Sequence, residues 1–475
     1  MLLSREILRT TALLACAVTL AACSDDDDDP VMPPPDGEAV ISQNITSDRR
    51  LYSDTVYTLS GFIRVADGAT LTIEPGTKIV GDFDIPGSSL FVLRGARIIA
   101  EGTAAAPIVF TSERPEGSRE PGDWGGLILV GNAEINRVAP PDVIIEGTGT
   151  GATNPALPYS GGTDNTDNSG SLRYVRVEFA GFATAPDAEL NSFTFAAVGS
   201  GTTLENLQAM AGLDDHYEWF GGMVDARNLV SYEAGDDHFD MSEGYSGRLQ
   251  NLIAYQSRRI IPRAIAGSPS SDPQAIENDG CNGSGCTDGR NTQPYTIPLV
   301  TNFTLVGTGP GVVDQTSGGI GMMLRRGTGG YYVNGVVARQ PRAAISLRDQ
   351  ETLDRVADGK LQISNLYLTE NGETFQPASG STVQGTVDIA ANDIIEGTAA
   401  TSSLFTSLPA GQPANGATFD WAPAAGSPIA TGGLATFTGD IATKAAGFAN
   451  GTAHVGAAAP AGAKWWQGWT IYTWQ

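Results

Sequence analysis

Two segments of the chain, 22 residues apart, hold its densest concentration of reactive side chains. Leu213-Asp214-Asp215-His216-Tyr217-Glu218-Trp219-Phe220-Gly221-Gly222 aligns with Gly235-Asp236-Asp237-His238-Phe239-Asp240-Met241-Ser242-Glu243-Gly244. The alignment sets Asp214 against Asp236, Asp215 against Asp237 and Glu218 against Asp240. If the copies stack as adjacent strands, ~4.8 Å apart, each like-charged pair repels by roughly 1 kcal/mol even when solvated, and by more when buried. A hard cation held by oxygen ligands, Ca²⁺ above all, would relieve that repulsion. The alternative is a solvated acidic ridge, or carboxylates that cap corner amides, since neither an EF-hand loop nor a glycine-rich calcium nonapeptide is present. His216 and His238 pair in the same register. Two imidazoles suit a transition metal or acid–base work, although the repeat alone also explains their pairing.

Other candidates are sparser. Asp164, Asp167 and Asn168 form an oxygen-rich run that reads as a second cation site or as an Asx-rich turn. Gly235-Asp236-Asp237 is similar to the paired-carboxylate element of polygalacturonase-like glycosidases, but the accompanying Gly-His-Gly and Arg-Ile-Lys elements are missing. A calcium-assisted polysaccharide lyase would use Asp236 and Asp237 with a basic residue, for which Arg258, Arg259 and Arg263 are the candidates; such arginines also commonly balance neighbouring carboxylates. Zinc-protease, phosphate-loop and serine-elbow motifs are absent from the sequence. Cys281 and Cys286 enclose a short flexible segment suited to a local disulfide in an oxidising compartment, in preference to a metal pair, which would need further ligands.

The elements that must position these groups are short strands that repeat. Thr70–Ile79 and Leu90–Ile98 alternate apolar and polar residues and resemble one another at a spacing of 19. An Asn precedes a small or apolar residue at Asn206, Asn228, Asn251, Asn302, Asn334 and Asn365, at intervals of 22, 23, 51, 32 and 31. Such periods predict an all-β solenoid, a right-handed parallel β-helix whose longer intervals contain inserted loops. The asparagines form a structural ladder, each amide bonding its copies in the coils on either side. Val175, Leu207, Leu229 and Leu252 fill the lumen. The expected organisation is a lipoprotein signal peptide at 1–22, a disordered acidic and Pro-rich tether at 23–39, the β-helix at 40–371 with an N-terminal cap over 40–64, and an irregular C-terminal region at 372–475. In that last region Trp465, Trp466, Trp469 and Trp474 are expected to plug the open end of the lumen, with sugar stacking as the alternative.

The chain has 475 residues, 53 acidic against 28 basic and a net charge of −25, which disfavours a nucleic-acid partner. Arg5 and Arg9 precede a short apolar run ending Leu20-Ala21-Ala22-Cys23, which resembles the bacterial lipobox. Cys16 would leave with the signal, and Cys23 would carry the acyl chains. The following Ser24-Asp25-Asp26-Asp27-Asp28-Asp29-Pro30 run resembles the acidic export signal of surface lipoproteins. The expectation is therefore a protein lipid-anchored in the outer membrane and exposed at the surface.

Several stretches carry a broader resemblance: Gly122–Ala133, GGTDNTDNSGSLRYVRVEFAG from Gly161, GSGTTLENLQ from Gly199, DDHYEWFGG, DDHFDMSEGYSGRLQ and a terminal GWT. Together they resemble a family of bacterial right-handed β-helix lipoproteins over roughly residues 60 to 350 and the extreme C-terminus. That resemblance implies the fold and the membrane anchor and assigns no chemistry. His216, His238, Cys281 and Cys286 depart from its pattern. The leading functional expectation is a non-enzymatic lipoprotein presenting a rigid acidic surface to a glycan, to Ca²⁺ or to an outer-membrane transporter. A Ca²⁺-dependent polysaccharide lyase or glycoside hydrolase is the alternative.

Overall fold

The computed structural model describes residues 37–139, 142–313, 318–409 and 419–473. Cys23 and most of the tether, residues 23–36, lie outside the described residues. From Gly37 onward the chain winds as a right-handed parallel β-helix. One sheet runs from Gly37–Ile41 to Ile395–Glu396, and a second of ten strands runs from Phe62–Val65 to Gln384–Gly385. Residues 40–64, expected as a cap, are already coil: Thr55–Leu59 pairs parallel with both Gly37–Ile41 and Lys78–Gly81.

The coil period differs between the two ends of the chain. Phe62–Val65 pairs with Ser89–Val92, and Thr70–Ile73 with Arg97–Ala100, so the early coil is 27 residues long. The spacing of 19 seen in sequence therefore matched strands of two different sheets, a consequence of alternation being common to every wall of the solenoid. In the central coils the 22-residue period holds: Leu207 lies beside Leu229, and Leu229 beside Leu252.

The asparagines explain the shorter coil. In the early coils a loop separates Arg97–Glu101 from Ile108–Ser112, whereas Gly170–Glu178 pairs with both in a single strand. That strand bends at Tyr174, which has φ 49°. In each of the following coils an Asn takes the same place with φ between 54° and 62°. Asn tolerates the left-handed conformation better than most residues because its side chain is short and bonds locally, so one residue replaces a loop. Asn251 donates to Asn228 at 2.8 Å and Asn228 to Asn206 at 3.4 Å. Beyond Asn251 the ladder is diverted: Asn302 donates to Thr452, Asn334 to Leu434 and Thr452, and Asn365 to Gly432, all in the C-terminal segment.

The lumen is dry and apolar. Leu207, Leu229 and Leu252 from the first sheet meet a column of aromatic rings from the second, with Tyr217 stacked on Phe193 at 5.1 Å and on Phe239 at 5.3 Å. The tryptophans do not plug its end. Leu353, Val356, Phe375, Val387 and Ile389 pack against the main core cluster instead. Trp421, Trp466 and Tyr472 cover the outer flank of the first sheet, against Met210, Tyr232, Tyr255 and Tyr367. The physical reason lies in the strands. Val230, Tyr232, Ile253 and Tyr255 put apolar groups on the outward face of their sheet, so that face needs covering as much as the lumen does.

Candidate cation-binding site

Strand alternation separates apolar from acidic residues. In Tyr217–Phe220, Tyr217 and Trp219 enter the lumen while Glu218 faces outward; in Phe239–Ser242, Phe239 and Met241 point in while Asp240 faces out. Register then aligns Glu218 with Asp240 and Asp240 with Glu277 along the outer face of the second sheet. The preceding corners contribute Asp214 with Asp215 and Asp236 with Asp237. All these side chains line one cavity of about 350 Å³, together with Glu243, Asp272 and Asp279. Its rim is closed by Glu146, from the insertion that follows Leu127–Val130, and by Glu189 of the hairpin strand Ala188–Glu189. Twelve carboxylates thus face three guanidinium groups, those of Arg137, Arg325 and Arg326.

Hydrogen bonds hold the carboxylates in place without neutralising them. The Asp237 amide donates to Asp215 Oδ1 at 2.8 Å, and the Gln274 amide to Asp237 Oδ1 at 2.5 Å, so each corner aspartate caps the coil after it. The oxygens of Asp214, Asp215 and Asp236 lie within 4.8 Å of one another, as do those of Asp215, Asp237 and Asp240. Burial, reinforced by mutual repulsion, raises Asp214, Asp215, Glu218, Asp237 and Asp240 well above the usual carboxyl range. Burial with repulsion from Glu189 lifts Glu146 to about 7. For Asp236 burial dominates, and the hydrogen bond from Ser270 limits the rise to about 6. Two further atoms lack partners. Asp240 Oδ1 is sealed from solvent without a donor, and Ser242 Oγ, on a side chain 9% exposed, lines the cavity with no hydrogen-bond partner.

The arginines of the cavity are engaged. Arg325 bonds Glu277 and Asp279, Arg326 bonds Asp279, and Arg137 reaches Glu243 at 2.5 Å. Burial opposes the Arg325 charge, but Asp279 and Glu277 raise its pKa further, which removes it as a proton acceptor. Arg258 and Arg259, the sequence candidates, are not among the lining residues: Arg258 lies 3.5 Å from Glu233, and Arg259 lines a separate small pocket with Ile260 and Pro269. Arg263 bonds the carbonyl oxygen of Asp123. Arg137, Glu146 and Glu189 carry no signal in the sequence, because they arrive on insertions outside the repeat. Glu277 belongs to the repeat, but the loop following Tyr255 stretches its spacing from Asp240 to 37 residues and hides it.

The histidines belong to the lumen and not to the cavity. His216 Nε2 accepts the Gly212 amide at 3.0 Å, which places the ring proton on Nδ1, facing Ser231 Oγ at 2.7 Å. Ser231 in turn donates to His238 Nδ1 at 2.5 Å. Both rings are neutral: burial, then the neighbouring His238, lowers His216, and burial takes His238 down to about 3. Asp164, Asp167 and Asn168 form a turn, with Asp164 accepting the Thr166 amide and hydroxyl and Asn168 the Gly170 amide. Cys281 and Cys286 are joined by a disulfide. Their loop buttresses the cavity wall, since Ser284 accepts from Arg137 and Gly285 from the Val138 amide.

An all-oxygen donor set, with unpartnered oxygens sealed inside it, fits a hard cation such as Ca²⁺. Searches of curated proteins and of solved structures gave no match to the chain. Residues 43–418 match the family of pectate-lyase-like beta helix domains, and the chain belongs to that family.

Proposed function

We propose that the protein is a Ca²⁺-binding β-helix protein, anchored by lipid at Cys23 to the outer membrane and displaying its acidic cavity for cation-dependent binding of a glycan or a transporter partner. The observation that carries the cation assignment is the unpartnered pair Asp240 Oδ1 and Ser242 Oγ within a cavity of twelve carboxylates and three arginines. Buried carboxylates without counter-charge are costly, and a divalent ion supplies that charge where no further side chain does. Asp214, Asp215, Asp236, Asp237 and Asp240 would hold the ion, with Glu218 beside them. The ion would contribute charge compensation and open coordination positions for an anionic group of a ligand. The lipid anchor rests on the Leu20-Ala21-Ala22-Cys23 sequence.

Calorimetric titration of the chelator-treated chain tests the cation. Saturable Ca²⁺ binding, with a rise of melting temperature, is expected. Absence of heat and of any melting shift at millimolar Ca²⁺ would refute it.

Family membership favours a second reading, a Ca²⁺-dependent lyase acting on a uronate polymer. It ranks lower because the arginines of the cavity are held in ion pairs, leaving no evident base beside the acidic cluster. Unsaturated ends released from polygalacturonate or alginate would reinstate it.

A further inference from the structure

We propose that the cavity holds two divalent cations, bridged by the Asp215 carboxylate. The proposal rests on the cation reading above and deepens it. Five aspartates fall into two overlapping sets, Asp214 with Asp215 and Asp236, and Asp215 with Asp237 and Asp240. Within each set the oxygens lie within 4.8 Å of one another. Two oxygens bound to one Ca²⁺ at 2.3–2.6 Å stand at most about 5 Å apart, so each set matches the span of one ion. The sets share Asp215 alone. One is centred on the corners of two coils, and the other extends along the second coil toward Asp240.

The shared residue is suited to bridging. A carboxylate offers about four lone-pair sites, and the Asp237 amide occupies one of those on Asp215 Oδ1. That bond fixes the carboxylate between the coils and leaves capacity for both ions. Asp237 is fixed in the same way by the Gln274 amide. Independent support comes from the second set. Asp240 Oδ1 and Ser242 Oγ project from alternate positions of one strand onto the same outward face, and neither has a partner. A single ion at the corners would leave them unsatisfied.

Volume and charge agree. A cavity of about 350 Å³ far exceeds one ion, given the ~30 Å³ that each water occupies in the liquid, and accommodates a pair with their waters. Three of the twelve carboxylates, Glu243, Glu277 and Asp279, are bonded by the cavity arginines. One divalent ion would leave most of the remainder unbalanced.

Stoichiometry tests this directly. The full chain, stripped with chelator, is titrated with Ca²⁺ in a calorimeter and assayed for bound metal after desalting. Two ions per chain are expected. Asp214→Asn and Asp240→Asn should each retain one, and Asp215→Asn should weaken both by about tenfold or more, the scale seen when a contact supporting a metal site is lost. Loading with Mn²⁺ gives a readout that needs no variant, because electron paramagnetic resonance should show the broadened spectrum of a coupled pair. One ion per chain, or an uncoupled Mn²⁺ spectrum, overturns the bridge while leaving the cation reading intact. No bound ion removes both. Two ions that survive Asp215→Asn unchanged also overturn it.

Discussion

Asp215 and Asp237 occupy the same corner of consecutive coils, and the backbone amide of the later residue donates to the carboxylate of the earlier at 2.8 Å. The aspartate is thus both a structural cap and part of a repelling cluster, and two substitutions separate these roles. Asn keeps the accepting oxygen and removes the charge, so Asp215→Asn should melt higher than wild type without Ca²⁺ and gain less from added Ca²⁺. Asp215→Ala leaves the Asp237 amide unpaired and should cost about 1–3 kcal/mol. Thermal melts in chelator and in Ca²⁺ decide the matter. A cation-free Asp215→Asn that melts well below wild type would show that repulsion is not the dominant effect.

The same crowding predicts an inverted pH response. Glu146 is raised to about 7 and Asp236 to about 6, so the folded chain holds protons that an unfolded carboxyl gives up near pH 4. Stability from these groups is complete below the unfolded value and is lost as pH rises through the folded one. His216 and His238 act oppositely: their lowered values mean stability present above about 6.5 and lost as pH falls. The cation-free protein should therefore be most stable near neutrality or slightly below it, and its melting temperature should drop between pH 6.5 and 8.5. Ca²⁺ competes with protons, so its affinity should rise over that interval and offset the drop. Calorimetry at both pH values, with and without Ca²⁺, checks this; a cation-free melting temperature that increases with pH would contradict it.

The Asn ladder can be divided in a comparable way. Asn228 has φ 59°, accepts from Asn251 and donates to Asn206. Asn228→Gly keeps access to the left-handed conformation and loses only the bonds, roughly 1 kcal/mol. Asn228→Ala loses the bonds and adds the left-handed penalty of roughly 1–2 kcal/mol. Alanine should thus be the more harmful of the two in chemical denaturation. The reverse order would mean that the amide bonds and the backbone conformation contribute little at this corner.

What could be read from the sequence follows from how each feature is encoded. Asp214 and Asp236 were identifiable as neighbours because the 22-residue coil repeats without insertion between them, and in-register stacking turns sequence period into spatial contact. Glu146, Glu189 and Arg137 were not, because they lie on an insertion and a hairpin whose return to the acidic face is a tertiary event. Arg258 and Arg259 misled for a related reason: they follow the next strand of the repeat directly, but the chain leaves the coil there, and Arg258 meets Glu233 instead. The terminal tryptophans were recognisable as a covering, while the surface they cover depended on outward-facing residues such as Tyr232 and Tyr255, whose alternation with lumen residues gives a nearly continuous apolar strand.

Gly235 provides a test of the acidic site that alters no carboxylate. It precedes Asp236 and lies against Leu213, 22 residues earlier, so closely that an added Cβ would sit 1.8 Å from the Leu213 carbonyl oxygen and 2.2 Å from its carbon. Both are backbone atoms of the neighbouring coil, which cannot move without shifting Asp214 and Asp215. Gly235→Ala should therefore separate the two corners, lower the melting temperature and weaken Ca²⁺ binding although every proposed ligand remains. A control at Gly61, where an added Cβ meets nothing within 4 Å but φ is 99°, should lose stability through backbone strain alone and retain wild-type affinity. If Gly235→Ala binds Ca²⁺ as tightly as that control, the close approach of the coils does not set the geometry of the site.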